Sequence, residues 1–393
     1  MLGHLSWSDL LRRWSGEAIT HADATGLAVT PQMRASGWIG TPPALATEIA
    51  AAQERLERAL PRSYRDFLTV SNGWPALSHG FEQLRPVTSI GWVADVDPGL
   101  YSAVCANLDY DWPLDGDDGP PLMNRAVLLS TGADNFLFDT KKVESDGEWG
   151  TACWASRYPG AGDRRASFRD GMEAHYASFV RLIATESATH GEVTTQVEDA
   201  YQLALRGDRS GEAVFTAARA YGCPRADVLL PQVQVFTGQH LAVNGVIALA
   251  GNRHATDPAL LADVWPMLVV AAFNVHQPQR WGLDQAIATA PGPVAERLRS
   301  LADQYQRDGG LTADFGYVPL FDRAVENARS LTRAGRDAEA FETICVALQS
   351  WRPLSSTHLA PVGLAWDHVL GRIMTRERRE RLLSTPRAGV PVG

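Results

Sequence analysis

Lysine is nearly missing from this chain of 393 residues: Lys141 and Lys142 are the whole supply, and arginine carries the rest of the 36 basic side chains. That bias fits a GC-rich genome better than a functional choice. Cysteine is scarce as well. Cys105, Cys153, Cys223 and Cys345 lie far apart with no CxxC pair, which excludes a zinc ribbon and a disulfide framework and reads as buried thiols. No run of about eighteen apolar residues occurs, so no membrane-spanning helix is expected. Met1-Leu2-Gly3-His4 leads into an amphipathic segment rather than a signal peptide, and the expected location is the cytoplasm.

Several chemical signatures are missing too. There is no GxGxxG, no glycine-preceded lysine of a P-loop, no GxSxG elbow and no HExxH helix. The ten histidines are scattered, and His358 and His368, the closest pair in a helical context, have proline between them. Asp146 and Glu148 at a turn read as solvated acids rather than an acid–base pair. No enzyme, no cofactor and no metal site is therefore expected. A net charge of −9 without a basic stripe excludes a phosphate-gripping surface, so no nucleic acid partner is expected either.

What the chain does have is pattern. Its length suggests two or three domains at about 150 residues each. Trp7, Leu10, Leu11 and Trp14 form an i, i+3, i+4, i+7 stripe, the mark of a helix that docks through one face. Thr20 to Pro43 reads as irregular connection. Leu45, Ile49, Ala52 and Leu56 then recur at helical spacing. In the stretch from Leu60 to Trp74, Pro61 suits a first helical turn and Tyr64, Phe67 and Leu68 share a face. Asn72-Gly73 supplies a positive φ to stop that helix. Ala126–Leu129 and Phe136–Phe138 read as buried strands joined by a hairpin, and Trp149–Ala155 as a further strand. Phe168, Met172, Tyr176, Phe179, Val180 and Ile183 define a long helix that covers the sheet.

Ser187 to Val197 has almost no large apolar side chain, and the domain boundary is placed there. The expected organisation is an N-terminal helix and connection over 1–37, an α+β domain over 38–187 and an all-helical domain over 198–393. In the last of these, Ala200, Ala204, Gly207 and Ala213 echo Ala324, Ala328, Ala334, Gly335 and Ala338, the small-residue spacing of helix-turn-helix repeats.

One stretch carries charge of a single sign. Between Arg85 and Arg125 there is no basic residue, yet Asp95, Asp97, Asp109, Asp111, Asp115, Asp117 and Asp118 all occur, interleaved with Trp92, Tyr101, Tyr110 and Trp112. Residues 1–190 hold 16 basic and 24 acidic side chains, a net of −8, and the remainder 20 and 21, a net of −1. Three readings stand: a surface that steers and anchors a basic protein, a solvated acidic loop, or a weak calcium loop.

The order of landmarks adds a further reading. Leu60-Pro61-Arg62-Ser63-Tyr64-Arg65-Asp66-Phe67 and Asn72-Gly73-Trp74 are followed by Ile90-Gly91-Trp92, Val127–Ser130, Phe136–Asp139, Asp146-Gly147-Glu148-Trp149 and Ser167-Phe168-Arg169. Over about residues 38 to 185 this resembles the SMI1/KNR4 family of the SUKH superfamily. The resemblance implies an α+β fold in which helices flank a mostly antiparallel sheet. It gives Leu60, Pro61, Tyr64, Phe67, Asn72, Gly73, Trp74, Gly147, Glu148, Trp149, Ser167 and Phe168 structural roles. It also implies non-enzymatic protein binding: bacterial members act as immunity proteins that neutralise toxin domains, many of them nucleases. Fungal members resemble signalling scaffolds, so a cytoplasmic adaptor whose helical half recruits a second protein is the alternative.

Overall fold

The computed structural model describes residues 5–75, 82–106, 120–155, 161–183, 187–239, 246, 258–273, 281–290 and 292–387. The chain is an α+β protein that divides into two compact units, Met1–Gly191 and Glu192–Gly393.

The first unit begins with α1 (Trp7–Thr20), whose N-terminus is capped by the Ser6 hydroxyl accepting from the Asp9 N–H. The stretch expected to be irregular instead forms two short helices, α2 (Ala22–Thr25) and α3 (Pro31–Ser36), each closed by a left-handed glycine, Gly26 and Gly37. Single turns with such caps carry too little apolar periodicity to be seen in sequence. Next come α4 (Ala46–Leu56) and α5 (Arg62–Leu68). Leu45 is 65% exposed, so the buried stripe of α4 starts later than its spacing suggests, and Ala52 and Leu56 fill it.

Two antiparallel sheets follow. The smaller runs β1 (Trp74–Pro75), β2 (Gln83–Leu84) and β5 (Ser130–Thr131). The larger has the order β3 (Gly91–Trp92), β4 (Ala126–Leu128), β6 (Asp134–Val143), β7 (Trp149–Ala155) and β8 (Ala161–Arg165). Between β3 and β4 lie α6 (Val93–Val96), α7 (Pro98–Ala106) and α8 (Pro120–Met123). The hairpin expected at Gly132 is present, with Ala126 paired to Asp139 and Leu128 to Leu137.

Helix α9 (Phe168–Ile183) covers the larger sheet with Phe168, Met172, Tyr176, Phe179, Val180 and Ile183 buried, as their spacing predicts. It approaches closely at Gly171, where an added Cβ would stand 2.6 Å from the Phe136 ring and 2.8 Å from the Thr151 hydroxyl. Phe168 is the hub of the core. Its ring centroid lies 5.7 Å from Trp7, 4.7 Å from Tyr64, 5.2 Å from Phe67, 6.0 Å from Phe136 and 5.9 Å from Phe138. The stripe of α1 is thus part of this core, with Trp14 set against Tyr176 and Trp74.

Ser187 to Val197 is not a linker. Most of it lies in α10 (Ala188–Leu205), where Val193 and Val197 are buried. Its start is tied to α1 by Glu17, whose buried carboxylate accepts from the Tyr176 hydroxyl at 2.6 Å, the Ser187 hydroxyl at 2.7 Å and the Thr189 N–H at 3.0 Å. Polar side chains there satisfy one another, and the division between the two units, after Gly191, falls within this stretch but inside a helix.

The described part of the second unit is helical: α11 (Glu212–Ala220), α12 (Pro224–Phe236), α13 (Pro258–Phe273), α14 (Trp281–Thr289), α15 (Gly292–Asp308), α16 (Pro319–Arg333), α17 (Asp337–Ala347) and α18 (Arg376–Leu383). The two small-residue stretches are both helix–turn–helix, with Gly207 at φ +83° and Gly335 at φ +73° in the turns. Two buried polar groups hold the mostly non-helical segment 351–373. The Gln232 amide donates to the Thr357 carbonyl at 2.6 Å and accepts from the Leu359 N–H at 2.8 Å. Asp367 accepts from Arg329 at 2.6 and 3.0 Å and from the Ala313 N–H at 3.0 Å.

Candidate functional site

The acidic and aromatic residues of this stretch that are described lie on three consecutive elements of the first unit, β3, α6 and α7, and the hinge between the two helices. Strand β3 ends the larger sheet, bonded on one side to β4 with Trp92 opposite Val127. The chain then turns straight into α6, leaving Trp92 half-buried and Asp95 exposed. Asp97 is the hinge between helices. Its N–H donates to the Val93 carbonyl, and its carboxylate caps α7 by accepting from the Leu100 N–H at 2.8 Å. Tyr101, one turn on, is half-buried and donates its hydroxyl to the Asn124 side chain at 2.6 Å.

Beneath this face lies a small apolar cluster of Val93, Leu122, Met123, Ala126, Leu128, Leu137 and Trp154, with Val96, Leu100 and Tyr101 packed on it. The elements that carry Trp92, Asp95, Asp97 and Tyr101 are thus anchored by this cluster. Asp109, Tyr110, Asp111, Trp112, Asp115, Asp117 and Asp118 lie outside the described residues, and so does the calcium-loop reading built on them. Among the described residues, no group of three or more His, Cys, Asp or Glu side chains is placed to hold a metal ion.

The residues expected to be structural between Leu60 and Phe168 build and pin the core. Tyr64, Phe67, Trp149 and Phe168 are buried, and burial pushes the Tyr64 phenol well above its usual range. Leu60 is buried and donates its N–H to Gln53 at 3.0 Å, while Pro61 stands at the N-cap of α5.

Three of these residues differ from their sequence reading. Asn72-Gly73 does not stop α5, which ends at Leu68. Asn72 instead accepts from the Val87 N–H at 2.7 Å, and Gly73, at φ +133°, lets the chain pass the Leu84 carbonyl into β1. Trp74 then packs between Trp14 and Trp38, each centroid 5.5 Å away. Nor is Glu148 a solvated acid. It accepts from the Ser63 N–H at 2.7 Å and the Ser63 hydroxyl at 2.5 Å, held in place by the turn at Gly147. Ser167 caps α9 by accepting from the Asp170 N–H at 3.1 Å.

A second location was hidden in the sequence. Cys153 on β7 and His175 on α9 face each other, Sγ to Nε2 3.7 Å, at the wall of a cavity of about 260 Å³ shared with Phe136, Asp163, Arg165 and Ser178. Cys153 and Cys105 are thus only half-buried, unlike Cys223 and Cys345. Burial, reinforced by Asp163, pushes the Cys153 thiol up to about 12, and burial with Arg165 nearby pushes His175 down to about 3. Both shifts favour the uncharged thiol and the uncharged imidazole. The available signal was a histidine seven residues after Phe168, inside the apolar stripe of α9.

No helix among the described residues is long and apolar enough to cross a membrane. No family model, no curated protein and no solved structure matches the chain.

Proposed function

We propose that the chain is a non-enzymatic protein-binding module whose first unit holds a basic protein on the face built by β3, α6 and α7. The observation that carries this reading is the succession of Trp92, Asp95, Asp97 and Tyr101 along elements anchored on an apolar cluster, within a stretch that has no basic residue from Pro86 to Asn124. One-sign charge raises the encounter rate with a basic partner, and half-buried aromatics supply low-entropy anchors. The resemblance to SMI1/KNR4 proteins narrows the partner to a toxin domain of nuclease type, whose phosphate-gripping surface is basic, occluded without chemistry in a bacterial cytoplasm. Replacing the acidic residues of this stretch by their amides and measuring partner affinity against salt tests the reading: unchanged affinity and salt slope defeat it.

The adaptor reading keeps one specific observation. Leu320 and Val346 stay 62% and 69% exposed beside a groove between α16 and α17 lined by Ala324, Ala338 and Thr343. Such a groove suits an amphipathic helix of a client protein. Leu320→Glu with Val346→Glu abolishes client capture on that reading and leaves it intact on the first.

A further inference from the structure

The Cys153–His175 cavity has no part in the protein-binding face, yet it places a sulfur and an imidazole nitrogen together at an accessible wall. We infer that these two side chains form a two-donor site for a soft monovalent d10 cation of the Cu(I) or Ag(I) kind.

Geometry is the first argument. With metal–sulfur and metal–nitrogen bonds of about 2.3 and 2.0 Å, donors 3.7 Å apart subtend roughly 119° at a shared ion, close to trigonal. No donor has to move far. The His175 ring is fixed edge-on against Phe136, centroids 4.9 Å apart at 87°, and Cys153 sits opposite Phe136 in the β6–β7 ladder. Both donors are therefore positioned by the core rather than by a loop. Both donors line a cavity of about 260 Å³, which admits water or a small thiol as a third ligand.

Donor chemistry is the second. Among the described residues no third His, Cys, Asp or Glu joins the pair in a metal-holding group, so the closed four-ligand set of structural zinc is not assembled. A thiolate with one imidazole instead matches soft ions that accept low coordination.

Charge is the third. Binding breaks the Cys153 S–H bond, forms the sulfur–metal bond and releases one proton to solvent through the cavity. No electron is transferred. Thiolate, monovalent ion and neutral imidazole sum to zero, so the buried wall carries no more net charge than before. A divalent ion would leave one uncompensated positive charge in a half-buried site. Asp163 and Arg165, which line the same cavity, pair with each other at 2.7 Å.

The test is Ag(I), a redox-inert probe, titrated into the reduced full-length protein in chloride-free buffer. Stoichiometry is read by native mass spectrometry and the site by the imidazole ¹⁵N resonances. The expected result is one tightest equivalent that shifts the His175 resonance, disappears in Cys153→Ser and weakens about tenfold or more in His175→Gln. Cys105→Ser and Cys345→Ser leave that equivalent unchanged. Reading the resonance in the wild-type chain keeps the test valid if a variant fails to fold. A tight equivalent that survives Cys153→Ser, or an unshifted His175 resonance at one bound silver, overturns the inference.

Discussion

Ser63 and Glu148 stand 85 residues apart in sequence and are joined by two hydrogen bonds, from the Ser63 N–H at 2.7 Å and from its hydroxyl at 2.5 Å. Ser63 lies in the first turn of α5, where backbone N–H groups have no partner within the helix. A carboxylate arriving from the turn before β7 supplies one and adds charge of the sign that a helix N-terminus favours. The most recognisable sequence blocks of the first unit are thus physically linked.

Glu148→Ala is expected to lower stability by about 1–2 kcal/mol, with Glu148→Gln retaining part of the loss because it keeps one acceptor. A double-mutant cycle with Ser63→Ala, read by urea unfolding, is expected to give a clear coupling term. Strict additivity would contradict the contact.

Gly171→Ala is expected to destabilise the chain although alanine is the better helix former. Its Cβ would stand 2.6 Å from the Phe136 ring, a rigid neighbour that also fixes His175. Overpacking of this kind costs about 1–3 kcal/mol. The check is a thermal melt, in which a Tm equal to or above the wild type would contradict the close approach.

His358 makes stability depend on pH. Burial pushes it from 6.5 down to about 4, against a weaker opposing effect of the hydrogen bond with Ala360. The unfolded chain therefore binds more protons than the folded one between these values. The contribution is fully present above about pH 6.5 and is lost as pH falls towards 4, a total on the order of 3 kcal/mol. Unfolding free energies measured over that window are expected to fall more steeply with acid in the wild type than in His358→Gln. Parallel curves would contradict a buried neutral imidazole.

Asp139 acts on the same side of pH but lower. It is 1% exposed, and burial alone would raise its pKa. The Arg125 pair at 2.7 Å, the Lys141 N–H and Arg164 at 3.2 Å outweigh that and hold it below the usual carboxylate range. Its contribution is present above the unfolded value near 3.9 and lost as pH falls through the folded one. Asp139→Asn is expected to weaken the acid arm below about pH 4 and to cost stability at neutral pH, because two arginines lose their carboxylate. No change in neutral-pH unfolding would contradict the pairing.

The elements that could be read in sequence are those whose apolar residues repeat over several turns or strands. The stripe of α1, the β4–β6 hairpin, β7 and the buried face of α9 all declared themselves this way. Elements held by tertiary polar contacts did not. The start of α10 depends on Glu17 reaching Ser187 and Thr189 from 170 and 172 residues away, and no local pattern encodes that. Asn72-Gly73 was misread for a different reason, since a positive φ serves a strand entry as well as a helix stop. Of the candidate binding face, Asp95 is exposed as a surface acid should be, whereas half of the Asp97 role is to cap α7. The Cys153–His175 meeting required the packing of a helix on a sheet, which spacing alone does not specify.

The measurement that bears most directly on the protein-binding account is a paired capture from lysate of the cells of origin. The baits are the full-length chain and a variant with Asp95, Asp97, Asp109, Asp111, Asp115, Asp117 and Asp118 changed to Asn, each read by mass spectrometry at low and high salt. The account predicts a basic protein enriched on the wild-type bait, lost at high salt and absent from the variant. Partners recovered equally on both baits, or retained at high salt, would contradict it.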